Sequence, residues 1–338
     1  MIEEAIKKVV EAQDLTRGEA RQVMREIMDG KASDPQIAAL LVGLRMKKET
    51  VDEISGFAEV MREKVVRIQP KAKDLVDTCG TGGDGTGTFN ISTATAFVVA
   101  GAGVPVAKHM NRSISSACGC ADVLEALGVK VELSPADMVS SIDEVGIGFL
   151  FAPALHPAMK YAMPTRRAIG VRTVFNILGP LTNPAFAPAQ LLGVFDGNLT
   201  DPLAHVLGNL GTSRALVVHG EGGLDELSTL GDSTISELKE GEVTTYKVNP
   251  KDFELPLATL ADLKGGDPEK NALILRAVLS GEQGPRRDIV LLNAGAALMA
   301  AGRAQNIAGG IKLAAKSIDD GAALEKLDKL IEFTNKIL

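Results

Sequence analysis

Tryptophan is absent from the 338 residues and tyrosine occurs twice. Aromatic platforms for stacking single-stranded nucleic-acid bases are therefore scarce. There is no long basic run, and the formal net charge is −7. Both argue against a phosphate backbone as the main partner. No apolar run approaches the length needed to span a bilayer. The opening Met-Ile-Glu-Glu-Ala-Ile-Lys-Lys does not read as a secretory leader, so no membrane is implied and the cytoplasm is expected. The three cysteines, Cys79, Cys118 and Cys120, are too few for a disulfide framework. Cys118-Gly-Cys120 also lacks the spacing and second ligand pair of a structural zinc site, so reduced thiols are expected. What remains is an ordinary globular composition, 45% hydrophobic and 23% charged, enough for one large or two unequal domains.

Glycine, by contrast, is concentrated where chemistry needs it. Asp77-Thr-Cys-Gly-Thr-Gly-Gly-Asp84 runs on through Gly85-Thr-Gly-Thr-Phe-Asn-Ile-Ser-Thr93. An apolar strand-like run precedes it and a helix-like run, residues 94–102, follows it. A glycine-rich turn between strand and helix exposes several backbone N–H groups at one point, beside the positive end of the helix. Asn90, Ser92 and Thr93 add side-chain donors, and Asp84 adds a carboxylate for a metal or a ribose hydroxyl. The chemistry this suits is binding of a phosphorylated ligand with a divalent cation. The Walker pattern is excluded by its missing lysine. The dinucleotide fingerprint fits only loosely, because no acidic ribose reader ends a second strand about twenty residues on.

The first 66 residues read as helices only. Thr16-Arg-Gly-Glu19 and Thr50-Val-Asp-Glu53 are capping boxes, and Asp34-Pro35 reads as an N-cap followed by proline at the first helical position. With a helix near residues 2–12, four short amphipathic helices come first. Pro70 and Lys71-Ala-Lys-Asp74 resemble a linker. Beyond it, strands are expected at 75–78, 104–108, 130–133, 147–151, 190–194 and 214–219, with apolar helices between most of them. That alternation predicts an α/β layer around a mainly parallel sheet. Residues 233–248 read as a short antiparallel excursion, and the last seventy residues return to helices.

Three further constellations follow. Lys108-His-Met-Asn-Arg112 comes straight after the second α/β strand, whose carboxyl end should face the same crevice as the glycine loop. Lys108, Asn111 and Arg112 are placed to reach the anion, and Ser113, Ser115 and Ser116 follow as hydroxyl donors. Leu224-Asp-Glu-Leu227 sets two adjacent carboxylates after another strand end, which suits Mg²⁺. Arg166, Arg167 and Arg172 crowd a segment poor in acids. One is expected to bind a carboxylate or phosphate, and the others to be structural.

Five segments together resemble the anthranilate phosphoribosyltransferases. They are Gly80-Thr-Gly-Gly-Asp84, Lys108-His-x-Asn-Arg112, Ala121-Asp-Val-Leu-Glu-Ala-Leu-Gly128, Asn176-Ile-Leu-Gly-Pro-Leu-Thr-Asn-Pro184 and Gly223-Leu-Asp-Glu-Leu-Ser228. The resemblance runs from the first helix to the last. It implies an α/β fold of the nucleoside phosphorylase and phosphoribosyltransferase type, with a small all-helical N-terminal domain joined by hinges to a larger α/β domain. Residues 1–69, joined by part of 164–188, would form the first; residues 70–338 would bind phosphoribosyl pyrophosphate (PRPP). A homodimer is also implied. So is the reaction of tryptophan biosynthesis in which PRPP loses pyrophosphate to the amine of anthranilate.

The resemblance assigns Gly80, Gly82, Gly83, Asp84, Thr88, Asn90, Ser92, Thr93, Lys108 and Ser116 to PRPP. Asp225 and Glu226, with Ser92, would hold Mg²⁺. Gly80, His109, Met110, Asn111 and Arg166 would line the anthranilate path, with Arg166 facing the carboxylate. Lys108, Asp84 and Arg166 are the residues implied to carry catalysis. Met110 stands where the family usually has glycine. Ala117, Cys118 and Cys120 stand where it often has a basic or polar residue and serines. Other readings share parts of the pattern: a pyrimidine nucleoside phosphorylase, a phosphoribosyltransferase for a different aromatic amine, and a non-catalytic paralogue that binds nucleic acid.

Overall fold

The computed structural model describes residues 1–112 and 118–337. Four helices open the chain: α1 (Ile2–Val10), α2 (Arg17–Met28), α3 (Asp34–Lys47) and α4 (Val51–Lys64). Both capping boxes form. Thr16 Oγ1 accepts from Glu19 N while Glu19 accepts from Thr16 N, and Thr50 and Glu53 repeat the exchange. Glu53 is wholly buried and also accepts from Leu15 N at 2.9 Å and Lys47 Nζ at 2.9 Å, so one capping carboxylate ties three segments together. The third helix starts one residue earlier than the sequence suggests. Ser33 is its N-cap and Pro35 its second residue, because Gln36 reaches back to Ser33 N at 3.0 Å.

The α/β part then follows as β1 (Val76–Asp77), α5 (Ile91–Gly101), β2 (Val106–Met110), α6 (Cys120–Ala126), α7 (Pro135–Val145) and β3 (Ile147–Phe151). Three short helices come next: α8 (Ala152–Leu155), α9 (Met163–Ile169) and α10 (Phe175–Leu181). β4 (Ala189–Gly193), α11 (Thr200–Asn209) and β5 (Arg214–Gly220) restore the alternation. The hairpin β6 (Ser233–Lys239) and β7 (Glu242–Val248) leads to α12 (Pro268–Leu279), α13 (Pro285–Ala300), α14 (Ile307–Asp319) and α15 (Ala322–Lys336). The strands form one sheet in the order β3-β2-β1-β4-β5-β6-β7, parallel through β5 and antiparallel at β6 and β7. The expected strand at 130–133 does not form; that stretch has no regular structure. Val129 and Val131 are nevertheless buried, which explains the apolar signal without a pairing partner.

Period-two alternation splits the sheet's side chains between two cores. Ala189, Leu191, Leu216 and Val218 join the main α/β core. Leu192, Val194, Ala215 and Val217 turn to the other face and join the cluster built on α1–α4, α10 and α11. The N-terminal helices therefore pack onto the sheet through α10 and α11, and α9 packs against α3.

One helix side chain fixes the loop after β5. Asn293 of α13 is fully buried; it accepts from Leu227 N at 2.9 Å and donates to Leu227 O at 2.8 Å. Replacing it with the isosteric leucine leaves both backbone groups buried without partners. Asn293→Leu should lower unfolding stability by about 2–4 kcal/mol, read by urea titration, and an unchanged midpoint would refute that anchoring role.

Candidate active site

Parallel strands deliver their carboxyl ends to one edge of the sheet, and the sequence places its polar residues there. Beyond β1, Gly80 forms a bridge to Gly193 at the end of β4. The loop then takes positive φ at Gly82, Gly83, Gly85 and Gly87, conformations that side chains resist. Asp225 lies across it. Its Oδ2 accepts from Gly82 N at 2.7 Å, and a Cβ on Gly80 would stand 2.6 Å from that oxygen. The carboxylate therefore sits where the loop's N–H groups favour an anion.

Asp84, Asp225 and Glu226 lie near enough to act on one another electrostatically, although among the described residues no three acidic, histidine or cysteine side chains are arranged to hold a metal ion. Burial, then the Asp84 charge, pushes Asp225 up from 3.8 to about 6. Burial, then Asp225, raises Glu226 well above the usual carboxylate range. The Lys108 ammonium opposes both shifts, and it also opposes the upward shift that burial gives Asp77. Lys108 is only 2% exposed and donates to Thr78 O. Asp225 and Glu226, whose ionisation is penalised by burial and by neighbouring acids, are oxygen donors that a hard divalent cation would relieve, and Mg²⁺ prefers oxygen ligands and keeps some of its waters.

The glycine loop feeds α5, where Ser92 sits in the first turn. Asn90 accepts from Asn271 Nδ2 at 3.0 Å, and Thr88 bridges to Lys264. Thr93 is fully buried, and its hydroxyl goes to Cys120 Sγ at 3.3 Å. Ser113, Ser115, Ser116 and Ala117 lie outside the described residues.

Residues 3–65 match the model of the glycosyl transferase family helical bundle domain, and residues 72–324 match that of its a/b domain. An anthranilate phosphoribosyltransferase of Desulforamulus reducens is 55% identical, over 100% of this chain and 98% of that protein. The chain belongs to the anthranilate phosphoribosyltransferase family. The crystal structure of the family member from Thermus thermophilus superposes with a TM-score of 0.93 at 45% identity, covering 98% of this chain and 99% of that one. The Saccharomyces cerevisiae member, in complex with PRPP and Mg, superposes at 0.90 with 26% identity, covering 99% of this chain and 98% of that one.

On the other side of β2, a second set of family positions meets α10. His109 Nδ1 lies 3.0 Å from Gly179 O, and its Nε2 lies 3.2 Å from His156 Nε2. A carbonyl only accepts, so Nδ1 carries the His109 proton and Nε2 accepts. His156 Nε2–H must then be the donor. Burial pushes His109 down to about 3, helped by the neighbouring His156, and pushes His156 down to about 4. The pair is neutral at physiological pH. Sequence reading gives His156 no role; its signal is a lone His-Pro beyond the β3 strand end.

Arg166, on α9, stacks on Phe175 of α10 at 5.1 Å. Its Nη1 lies 3.6 Å from Met163 Sδ, and it has no carboxylate partner among the described residues. Burial holds its pKa below the usual arginine value. Arg112, read as an anion ligand, instead pairs with Glu125 at 2.7 Å and Asp122 at 3.3 Å. Asn111 is exposed at the end of β2 and accepts from Arg112 N at 2.8 Å. Met110 alternates with His109, so it shares the Lys108 face and joins the α/β core.

The raised Asp225 pKa has a sign that can be checked. The native state holds this proton to a higher pH than the unfolded chain does. Its contribution to stability is complete below pH 3.8 and is lost as the pH rises through about 6. In EDTA, the Asp225→Asn variant should lose less stability than the wild type across that interval. Superimposable melting profiles of the two proteins would contradict the assignment.

Proposed function

We infer that the chain transfers the phosphoribosyl group of PRPP to the amine of anthranilate, releasing pyrophosphate in tryptophan biosynthesis. The observation that carries this reading is the pairing of the two halves. An N–H-rich loop faces Asp225, Glu226 and Lys108 on one side of β2, and a half-buried arginine, Arg166, with no carboxylate partner among the described residues lies beyond the other. A donor with a polyphosphate leaving group and an acceptor bearing a carboxylate satisfy both.

On the donor side, the N–H groups of Gly83 and Asp84 would take pyrophosphate oxygens, joined by Gly82 N–H on leaving Asp225 Oδ2 for the ligand, with Thr88, Asn90 and Ser92 holding the remainder of PRPP. Asp225 and Glu226, with Ser92, would hold Mg²⁺. When bound, the cation neutralises pyrophosphate charge as the bond to the anomeric carbon breaks. Lys108 supplies fixed positive charge at the same place, where it acts most strongly because water is excluded. On the acceptor side, Arg166 would take the anthranilate carboxylate, and Gly80, His109 and Asn111 would line its path. The aryl amine is already neutral at pH 7. Its lone pair attacks the anomeric carbon, the C–O bond to pyrophosphate breaks, and the extra N–H proton leaves to water. No strong base is needed, so orientation carries much of the rate.

A solved structure of the S. cerevisiae relative is in complex with 4-fluoroanthranilate, which supports the acceptor class. Among the described residues no helix is long and apolar enough to cross a membrane, in keeping with the cytoplasmic compartment we propose. The homodimer has a candidate face in Val42 and Met46 of α3, which lie one turn apart and are exposed by 38% and 81%.

Anthranilate fluorescence tests the reaction. It should decay on adding PRPP with Mg²⁺ and stop decaying on adding EDTA; a steady signal in a chain that still binds PRPP would point to another acceptor amine. Arg166→Ala should raise the anthranilate KM by about 10–100-fold while leaving the PRPP KM nearly unchanged. An unaltered anthranilate KM would remove Arg166 from the acceptor site.

A further inference from the structure

The glycine loop poses a problem that its own sequence does not solve. Gly82, Gly83, Gly85 and Gly87 all take positive φ. Glycine adopts many other conformations as readily, and Asp84 ties only Thr86 within the loop, accepting from its N at 3.1 Å and its Oγ1 at 2.6 Å, so the order of the glycine peptides draws on ties from outside. Two cations supply ties. Arg172, from the segment between α9 and α10, donates Nη2–H to Gly83 O, and its guanidinium lies over the Phe195 ring at 4.5 Å. Lys264, from the segment before α12, donates Nζ–H to Thr86 O at 2.6 Å. Lys264 is itself held in a short antiparallel bridge. Gly265 N donates to Gly87 O at 3.0 Å and Phe89 N to Leu263 O at 3.0 Å.

We propose that Arg172 and Lys264 are positioning residues that turn the loop's peptides so that their N–H groups face the bound pyrophosphate. In a planar trans peptide the C=O and N–H point in opposite directions. Holding Gly83 O on Arg172 directs the Asp84 N–H away from Arg172. Holding Thr86 O on Lys264 does the same for the Gly87 N–H. Neither N–H has an acceptor among the described residues. Each cation also balances a carbonyl oxygen that would otherwise repel phosphate. Neither side chain needs to touch the substrate.

The inference rests on the PRPP reading, so its test separates the two. PRPP is titrated calorimetrically, with Mg²⁺, into the wild type, Arg172→Ala and Lys264→Ala, and steady-state KM values are measured for both substrates. Each alanine variant should weaken PRPP binding about tenfold, because the loop must then be ordered at the moment of binding. The anthranilate KM at saturating PRPP and the melting temperature should stay at wild-type values, since Arg172 is exposed. Arg172→Lys and Lys264→Arg keep a donor and a charge and should restore most of the affinity. Wild-type affinity in both alanine variants would overturn the clamp while leaving the PRPP reading intact. So would an effect confined to the anthranilate KM, which would make Arg172 an acceptor ligand. Absence of PRPP binding by the wild type would overturn both.

Discussion

Three backbones meet with no room for a side chain, and the site depends on that meeting. A Cβ on Gly193 would fall 1.6 Å from Asp225 O, and one on Gly80 2.6 Å from Asp225 Oδ2. These approaches come from three places in the chain: the end of β1, the end of β4 and the loop after β5. Glycine at the first two lets the third settle against them. The Asp225 carboxylate then reaches the Gly82 N–H, and Asn293 locks the far end of that loop from α13. Any residue with a side chain at Gly193 must push the acidic pair away from the anion loop.

Electrostatics follows from that packing. Bringing Asp84, Asp225 and Glu226 into one crevice costs free energy, seen in the raised pKa values of the last two. Lys108 offsets part of it. The ligand-free site thus holds acids whose mutual repulsion is only partly offset, beside loop N–H groups of Asp84 and Gly87 that have no acceptor among the described residues. A complex of polyphosphate and divalent cation satisfies both sets together. Either component alone would leave like charges facing each other, because the polyanion would meet the acids and the cation would meet Lys108.

Much of this is legible in the sequence because it is local. Capping boxes at Thr16 and Thr50, the glycine run and the acidic pair after β5 are all written within a few residues, whereas Lys108, expected at the end of its strand, is the middle residue of β2. The strand expected at 130–133 is missing because an apolar stretch reveals burial but not a pairing partner. Arg112 turns away from the anion site because its acids, Asp122 and Glu125, lie on the next helix and compete for it. Arg172, Lys264, His156 and Asn293 stand far in sequence from what they touch. No spacing rule connects Lys264 with Thr86, or Arg172 with Gly83; only the closed fold does. The expected crowd of three arginines resolves for the same reason, with Arg172 on a loop carbonyl and Arg166 half-buried without an acid partner among the described residues.

The two faces of β2 divide the chemistry by charge. Lys108 points to Thr78 O at the start of the glycine loop, where in the proposed reaction a fixed cation would stabilise the leaving group. His109 points the other way and is held neutral. Its Nδ1 proton is committed to Gly179 O and its Nε2 receives the His156 proton. Gly179 and Phe175, the ring on which Arg166 stacks, lie one turn apart on α10, so the same short helix fixes the imidazole and the guanidinium. Protonating His109 at Nε2, the acceptor, would break the hydrogen bond between them, and charging either histidine would add a second cation to the Arg166 side. An acceptor with one carboxylate needs one positive charge for orientation, and its amine must remain unprotonated to attack. A neutral, tautomer-fixed histidine pair beside α10 meets both requirements, because it shapes the path without competing for the carboxylate or donating a proton to the amine.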